Sequence, residues 1–361
     1  MLGISFYPNK ESVNDIKEYL DKSYSYGYRY AFTSLLMAGD DVKETIKPFK
    51  ETVDYATKKG FYVVLDVNPS LFEELNISYS DLSFFKDIGA SAIRLDSNFD
   101  GLNESLISFD PSNIDLVLNI SNDTGNIGNI YSYEPNKKHL TGCHNFYPQP
   151  YTGLDLEYFL TCSKKYKQMG MRTGAFINSQ VGKDGPHEFN MGLPTLEMHR
   201  EMDIVTQAKH FIATGLIDDI VIGNAFASDE ELRQVAKINQ DQVEFSIDIN
   251  DEMNETEKFV LASQHFNRGD INSYSIRSTF VKLQVKDQTI PPRNTVDVLY
   301  PGDVTIGNDR FGQYKGELNI VKKEMRNINH YKNVVGKITK ENQFLIGYIT
   351  PWKKFIFEEV E

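Results

Sequence analysis

The feature that most constrains the fold is a repeat of a short apolar run, a polar stretch, an amphipathic helix and a glycine. Eight apolar runs recur at a spacing of roughly 25 to 45 residues, which is the number and period of a β/α barrel. Near-continuous apolar runs are typical of parallel strands that helices cover on one side. The chain is therefore predicted to begin with a TIM-type (β/α)8 barrel. The runs are Leu2–Tyr7, Tyr28–Leu35, Phe61–Val67, Ala92–Asp96, Ile114–Ile120, His139–Phe146, Met171–Ile177 and Asp218–Ile222.

Glycines and helix caps support this phasing. A glycine between a helix and the next run supplies the left-handed residue that ends the helix. Helix starts carry short acceptors or acids, as at Ser12, Asp40-Asp41 and Ser228 to Glu231. The glycines in the predicted position are Gly27, Gly60, Gly89, Gly170 and Gly215.

The chain has 361 residues, which favours one large domain and one small one. We expect the α/β barrel over residues 1–240 and a second, mostly β domain over residues 241–361, because short alternating runs and turns follow Gln242. The remaining length suits a compact closed β barrel or a sandwich. The candidate strands are Tyr274–Thr279, Thr295–Leu299, Gly316–Val321, Val334–Ile338, Phe344–Ile349 and Lys354–Phe357.

Charge and composition exclude several classes of partner. A net charge of −13 argues against nucleic acid or an anionic membrane surface as the main partner, although a local arginine can still bind an anionic small substrate. The chain has no apolar run long enough for a membrane span and no export leader at its start, so we expect a cytoplasmic protein. Cys143 and Cys162 are expected to be reduced core thiols. The oligomeric state, a homo-oligomer included, stays open.

In a β/α barrel the active site lies at the carboxyl ends of the strands. No lysine ends any of the eight runs, which argues against a Schiff-base aldolase or a pyridoxal-phosphate racemase. The polar residues at the run ends include Ser5, Tyr7, Thr33, Ser34, Asp66, Asn68, Arg94, Asp96, Asn119, Ser121, Asn122, His144, Asn145, Tyr147, Asn178, Ser179, Gln180 and Asn224.

Asp66 and Asp96 end neighbouring runs and are the strongest catalytic candidates. Adjacent strands are about 4.8 Å apart, so two carboxylates at equal height would lie within about 5–6 Å of each other. That separation suits a glycosidase whose carboxylates act directly on the substrate. Proximity of like charges would raise the pKa of one of them and provide an acid beside a base. The alternative is a structural role, as loop caps or as partners of Arg94.

Two further side chains are candidates with an ordinary alternative. His144 orients a loop or binds a substrate hydroxyl, and the other histidines lack ligand spacing, so no metal is expected. Glu197 follows a long loop, residues 180–193, that has the length of a lid. Glu197 or Glu188 would reach the site from there as a third carboxylate, whereas a first-turn glutamate usually serves the helix dipole.

A phosphate site is also sought, because loops seven and eight of such barrels often hold phosphate. The loop from Gly223 leads into a helix start, but Asp229, Glu230 and Glu231 stand in its first turn and would repel an anion. Arg277 and Arg310 of the second domain are the alternative cations.

Several segments resemble the bacterial 6-phospho-N-acetylmuramidase family, earlier described as outer surface proteins of unknown function. The likeness runs from the first residue to near the last. The segments are MLGISFYP (Met1–Pro8), HNFYP (His144–Pro148), YTGL (Tyr151–Leu154), GLPTLE (Gly192–Glu197), SIRS (Ser275–Ser278) and YKGEL (Tyr314–Leu318).

The resemblance implies a TIM barrel joined to a cyclophilin-like β domain. It also implies hydrolysis of the β-1,4 bond in N-acetylmuramic acid 6-phosphate–N-acetylglucosamine, a small anionic disaccharide of peptidoglycan recycling, without a cofactor. One carboxyl would protonate the leaving oxygen, and the other would attack C1 or orient the 2-acetamido group, both with retention. The candidate substrate-binding residues are Tyr7, Arg94, Asn119, His144, Asn145, Tyr147, Asn178, Asn224, Arg277 and Arg310.

Two other functions remain open from the residues. A metal-assisted phosphosugar isomerase or epimerase would use His144 with Asp66 and Asp96. A non-catalytic sugar-binding protein would need none of these groups to react.

Overall fold

In the computed structural model the chain forms two compact units, Met1–Lys237 and Ile238–Glu361. The structure describes residues 1–35, 42–67, 71–72, 77–97, 99–122, 124–293 and 295–359, without the side chains of residues 42–45. Asn68 and the predicted cap Asp40-Asp41 lie outside the described residues.

The first unit is a closed barrel of eight strands in sequential order. Each strand pairs in parallel with the next, and β8 closes the barrel by pairing with β1. Every predicted run contains one of the strands, which confirms the TIM-type barrel. The strands are β1 (Leu2–Ser5), β2 (Tyr30–Ser34), β3 (Tyr62–Val67), β4 (Ala92–Leu95), β5 (Asp115–Asn119), β6 (Leu140–Cys143), β7 (Arg172–Ile177) and β8 (Asp219–Ile222).

Helices separate the strands, and their ends follow from local chemistry. The Ser12 hydroxyl accepts the Asp15 N–H at 3.1 Å and begins the first helix. The five predicted glycines have φ between 66° and 109°, which confirms their left-handed conformation. At Gly89 a Cβ would also stand 3.2 Å from the Asp54 Cα. The helices are α1 (Val13–Ser25), α2 (Val42–Lys59), α3 (Ser83–Ile88), α4 (Leu102–Ile107), α5 (Asn126–Ser132), α6 (Leu156–Gln168), α7 (Ile204–Thr214) and α8 (Asp229–Lys237).

The interior of the barrel is layered, which positions the candidate site. One buried apolar cluster contains Tyr30, Phe32, Val64, Ala92, Val117, Cys143, Phe176 and Val221. Side chains of a strand alternate between its faces, so the next inward residue lies two positions further along. Those next residues are polar on six strands, and they form a layer above an apolar floor at the carboxyl ends. They are Ser34, Asp66, Arg94, Asn119, Asn145 and Asn178.

The second unit is a mixed seven-stranded sheet in the order β10-β17-β9-β16-β13-β14-β11. Its edges meet where the Arg268 N–H donates to the Arg277 carbonyl at 3.0 Å, so the sheet is nearly closed, as predicted. The elements are β9 (Val243–Ile249), α9 (Glu255–Ala262), β10 (His265–Phe266), β11 (Ser275–Ser278), β12 (Val298–Leu299), β13 (Asp303–Gly307), β14 (Leu318–Val321), β15 (Met325–Arg326), β16 (Lys332–Ile338) and β17 (Lys354–Glu359).

One of the candidate strands of this unit is wrong, and β9, β10, β13 and β15 are not among the candidates. The predicted strand Phe344–Ile349 is wrong, because Gln343–Tyr348 forms a 3-10 helix that buries the consecutive residues Leu345 and Ile346. A strand would send consecutive side chains to opposite faces. Strand β13 was missed because turn residues bracket it at both ends. No helix in the described part of the chain combines the length and the apolar character that a membrane span requires.

Candidate active site

Arg94 is the centre of the polar layer at the barrel mouth. Its side chain is 3% exposed, and its Nη1 donates to the Asp66 Oδ1 at 2.6 Å. The same nitrogen lies 3.8 Å from the Asp96 Oδ1. The other terminal nitrogen, Nη2, donates to the side-chain oxygen of Asn145. One buried guanidinium thus binds side chains from three neighbouring parts of the mouth.

The two candidate carboxylates are close together but not level. Strand register places Asp66 opposite Arg94, and Asp96 lies two residues beyond Arg94 on the same strand face. Their oxygens lie 2.6 and 3.8 Å from one nitrogen, so the two oxygens are at most about 6.4 Å apart, a bound that includes the separation of retaining glycosidases. The predicted proximity therefore arises through the arginine between the two carboxylates.

Burial and charge act in opposite directions on Asp66. Burial raises its pKa to about 6, while the Arg94 charge and a hydrogen bond from Ser34 lower it. Asp96 differs in environment, because its side chain is 45% exposed. The pair consists of one carboxyl locked against an arginine and one open to the mouth.

Behind Asn145 lies a buried hydrogen-bonded chain. The Ser121 hydroxyl accepts the Asn145 N–H at 2.6 Å and lies 3.5 Å from the His144 Nδ1. The His144 Nε2 meets the Ser163 hydroxyl at 2.9 Å. Burial lowers the pKa of His144 to about 3, and the Arg94 charge adds to this, so the ring is neutral. His144 is fully buried and positions the loop that carries Asn145.

Aromatic residues lie at and beneath this layer. Phe146 packs edge-on against Phe32 and Phe176, with ring centroids 6.0 and 5.0 Å apart. Tyr7 is fully buried, and its hydroxyl donates to the Gly223 carbonyl at 2.5 Å, so its ring joins the loops after β1 and β8. Tyr147 is half-buried, and burial raises its pKa. Of these aromatic side chains at the mouth, Phe146 and Tyr147 retain exposed surface.

The asparagines around the barrel mouth form hydrogen bonds mainly with backbone groups. Asn119 donates to the Asp96 carbonyl at 3.2 Å. The Asn178 side-chain oxygen accepts the Leu193 N–H at 2.8 Å. Asn224 accepts the Ser179 N–H at 2.8 Å and donates to the Ser179 carbonyl at 2.8 Å. These contacts fix the loops that surround the mouth, above all the long loop after β7.

Glu197 is also engaged in loop structure. Both its oxygens accept hydrogen bonds from Arg200 at 2.8 Å, and they also accept the Tyr151 and Gly153 N–H groups at 2.8 Å each. These hydrogen bonds lower the pKa of Glu197 to about 2. Such contacts favour a role in joining the loops after β6 and β7.

The cations sought for a phosphate lie in the second unit, and one of them is engaged there. Arg277 donates to both oxygens of Glu317, at 2.7 and 3.0 Å. Arg310 is exposed. In the first unit, Ser228 directly precedes α8, and its N–H donates to Glu231 at 2.9 Å, so a carboxylate already occupies that helix start.

Glu11 is a mouth carboxyl that the sequence analysis missed. It lies in the loop between β1 and α1, where its Oε2 accepts the Tyr7 N–H at 3.2 Å. Its Oε1 is buried and meets no hydrogen-bond partner among the described residues. In the sequence Glu11 directly precedes the helix cap Ser12, as many solvent-exposed loop acids do. No local signal therefore distinguishes Glu11 from an ordinary surface carboxyl.

Comparison with known proteins decides the family. Models of the N-terminal and C-terminal parts of 6-phospho-N-acetylmuramidase match residues 2–237 and 243–358. The chain belongs to the 6-phospho-N-acetylmuramidase family. None of the curated proteins compared with the chain matches it.

Solved structures extend the likeness to full length. An uncharacterized B. cereus protein is 43% identical, with a TM-score of 0.90 and 99% of each chain covered. A conserved Enterococcus faecalis protein of unknown function is 22% identical, with a TM-score of 0.69 over 99% of this chain and 96% of that one. The second likeness shows the fold alone.

The polar side chains at the barrel mouth of this 6-phospho-N-acetylmuramidase family member include carboxyls, amides and the guanidinium of Arg94. Among the described residues no group of three or more His, Cys, Asp or Glu side chains comes together as a metal site would require. The two cysteines are free and buried. The side chains at the mouth can therefore act on a substrate through charge and hydrogen bonds.

Proposed function

We propose that the protein hydrolyses the β-1,4 bond of N-acetylmuramic acid 6-phosphate–N-acetylglucosamine in the cytoplasm, as a step of peptidoglycan recycling. Membership of the family over nearly the whole chain supports this reaction. The observation that carries it is the placement of Asp66 and Asp96 around Arg94 at the barrel mouth, since a pair of carboxyl groups is what glycoside hydrolysis requires.

The environments of the two aspartates suggest different roles. Asp96 is the more exposed of the pair and is free to meet C1 of the muramic residue or its 2-acetamido group. Asp66 is held by Arg94 and, with a pKa of about 6, is largely ionised at neutral pH. Its charge stabilises the positive charge that develops on the sugar ring as the bond breaks. Direct attack and acetamido participation both retain configuration.

The same geometry assigns supporting roles. Arg94 holds Asp66 and Asn145 in place, and because both terminal nitrogens are engaged, it orients these groups. The chain from Ser163 through His144 and Ser121 fixes the backbone of Asn145. Phe146 and Tyr147 provide the apolar surface on which a sugar ring stacks.

The test is to incubate the purified protein with the phosphorylated disaccharide and with its unphosphorylated form, and to follow products by mass spectrometry. Cleavage of the phosphorylated form alone is the expected result. Cleavage of both forms would contradict the phosphosugar specificity. Cleavage of neither, in buffer with or without added divalent metal, would contradict the proposed hydrolysis.

A further inference from the structure

The proposed reaction needs a proton donor that the Arg94 side of the mouth does not provide. The leaving oxygen of N-acetylglucosamine is a poor leaving group without protonation, so an acid must hold a proton at neutral pH. Asp66 is largely ionised there, since Arg94 lies 2.6 Å away. Asp96 shares the same arginine at 3.8 Å. The cation beside Asp66 favours its charged form, and the proposed function already assigns Asp96 to C1 or the 2-acetamido group.

Glu11 stands in a different environment at the same mouth. One oxygen accepts the Tyr7 N–H, and the other is buried with no partner among the described residues. Burial raises the pKa of the Tyr7 hydroxyl, and the charges of both Glu11 and Asp66 add to that rise, so the two carboxyls face the same tyrosine. An unpaired buried carboxyl oxygen is costly unless it carries a proton or meets a ligand.

The groups around Glu11 favour its protonated form. The charged side chains acting on it are Asp184, from the loop after β7, and Asp15, from α1, and both are acidic. Burial raises the pKa of Glu11 to about 8, with these two aspartates adding to the rise and the Tyr7 N–H lowering it. Tyr19 of α1 also interacts with Glu11, and its own pKa is raised by burial.

Asp184 is held in place by backbone pairing. Its N–H donates to the Ala225 carbonyl at 2.7 Å, and the Ala225 N–H donates to the Asp184 carbonyl at 2.9 Å. The long loop after β7 is thereby fixed to the loop after β8, beside Tyr7. Glu11 therefore lies among three loops at the carboxyl ends of β1, β7 and β8, where the substrate of a β/α barrel binds.

We propose that Glu11 is the catalytic acid that protonates the leaving N-acetylglucosamine oxygen. This inference rests on the proposed function. As the C1–O bond breaks, its electron pair stays on the oxygen, which takes the proton from the Glu11 carboxyl. C1 takes its new bond from a carboxylate or from the acetamido oxygen. Water then attacks C1, and the bond from C1 to that carboxylate or acetamido oxygen breaks with its electron pair returning to the oxygen. The attacking water gives its proton to the Glu11 carboxylate, which restores the starting state.

Two other carboxyls near the mouth, Glu197 and Glu231, already accept hydrogen bonds from other groups. Glu197 accepts four hydrogen bonds, two of them from Arg200. Glu231 accepts the Ser179 hydroxyl and the Gln180 N–H at 2.7 and 2.8 Å. Glu11 combines a mouth position, a buried free oxygen and acidic neighbours.

The experiment compares two substrates that differ in their need for an acid. One is the phosphorylated disaccharide, and the other is the 4-nitrophenyl glycoside of N-acetylmuramic acid 6-phosphate, whose leaving group departs without protonation. The variant is Glu11→Gln, an isostere of the protonated acid that keeps an oxygen for the Tyr7 N–H. The matched control is Glu18→Gln, an exposed carboxyl on α1. Circular dichroism checks that both variants fold.

Glu11→Gln is expected to lower kcat/KM for the disaccharide by about 100- to 10,000-fold, the range for loss of a general acid, and to spare the nitrophenyl glycoside. The wild type should lose disaccharide activity above about pH 8, with no such limb for the nitrophenyl glycoside. That comparison of wild-type profiles tests for an acid of this pKa even if the variant does not fold.

Three outcomes would overturn the assignment. Equal losses on both substrates would make Glu11 a positioning residue only. Full disaccharide activity in Glu11→Gln would show that another group donates the proton. If the wild type cleaves neither substrate, the proposed hydrolysis itself fails, and Glu11 loses this role with it.

Discussion

Asp66 and Glu11 lie at the same barrel mouth, Asp66 buried and Glu11 with one buried oxygen, yet they meet opposite neighbours. Asp66 meets the Arg94 guanidinium at 2.6 Å, whereas the charged groups acting on Glu11 are the acids Asp184 and Asp15. Burial raises both pKa values, to about 6 for Asp66 and to about 8 for Glu11. One carboxyl is thus ionised at neutral pH and the other protonated, because the neighbouring charge decides the state.

The contrast arises from where the two residues stand in the fold. Asp66 is on β3, and strand register puts it opposite Arg94 of β4, so the ion pair follows from the sheet itself. Glu11 is in a loop, and Asp184 reaches it from a loop far along the chain. The ionised side of the mouth is therefore built by strands and the protonated side by loops.

The largest expected effect is on kcat, when either of the two carboxyls beside Arg94 is replaced. Asp66→Asn and Asp96→Asn should each lower kcat by at least about 1,000-fold. The first change removes the charge that stabilises the developing positive charge on the sugar ring, and the second removes the carboxyl proposed to meet C1 or the 2-acetamido group. In contrast to Glu11→Gln, the loss should be the same for the disaccharide and for the nitrophenyl glycoside. Product formation is followed by mass spectrometry, with Asp87→Asn, an exposed carboxyl on α3, as the control. Sparing of the nitrophenyl glycoside would assign the proton donor to the aspartate instead.

The next effect is on stability. Arg94→Met should lower the free energy of unfolding by about 3–5 kcal/mol, because it leaves the Asp66 carboxyl buried without its cation. The double variant Arg94→Met/Asp66→Asn should recover much of this loss, since the remaining group is neutral. Scanning calorimetry measures both. A double variant as unstable as Arg94→Met would mean that lost packing, and not the unpaired charge, causes the change.

The pH dependence of stability separates the two carboxyls without any substrate. A raised pKa in the folded state means that the fold favours the proton, so this stabilisation is complete below the ordinary pKa and is lost as pH rises through the folded value. For Asp66 the loss runs from pH 3.8 to about 6, and for Glu11 from pH 4.5 to about 8. The slope is at most about 1.4 kcal/mol per pH unit for each group.

Subtracting the stability of Asp66→Asn or Glu11→Gln from that of the wild type isolates each titration, because the amides do not ionise. Calorimetry between pH 4 and 9 should give difference curves that level off near pH 6 and near pH 8. Difference curves that level off at the same pH would show that Arg94 does not make the pKa of Asp66 lower than that of Glu11.

Most of the barrel follows from the sequence, because parallel strands buried on both faces leave continuous apolar runs and glycines end the helices between them. Asp66, Arg94 and Asn145 were among the predicted polar residues at the run ends, and the structure places each of them two positions after an inward apolar residue. Strand β13 did not follow, because its turns at both ends obscured a five-residue strand.

The site was less predictable than the fold. Adjacency of the strands indicated that Asp66 and Asp96 lie close, but not that Arg94 stands between them, since register is a tertiary property. His144 stands at a run end and yet is fully buried behind Ser121, which depends on the packing of α6. Glu11 acquires its environment from loops that meet only in the folded barrel.

The smallest effect concerns Glu197, a carboxyl whose partner is an arginine outside the polar layer. Glu197→Gln keeps an oxygen acceptor for one of the two backbone N–H groups and weakens the pairing with Arg200. Because the group is partly exposed and serves the loops after β6 and β7, its loss should lower the thermal midpoint slightly, by an amount equivalent to about 1 kcal/mol. We expect kcat on the disaccharide to change by less than about threefold, measured against Asp87→Asn. A loss as large as that of Asp96→Asn would mean that an arginine-bound carboxylate of the long loop reacts with the substrate, and that the ionised side of the mouth extends beyond β3 and β4.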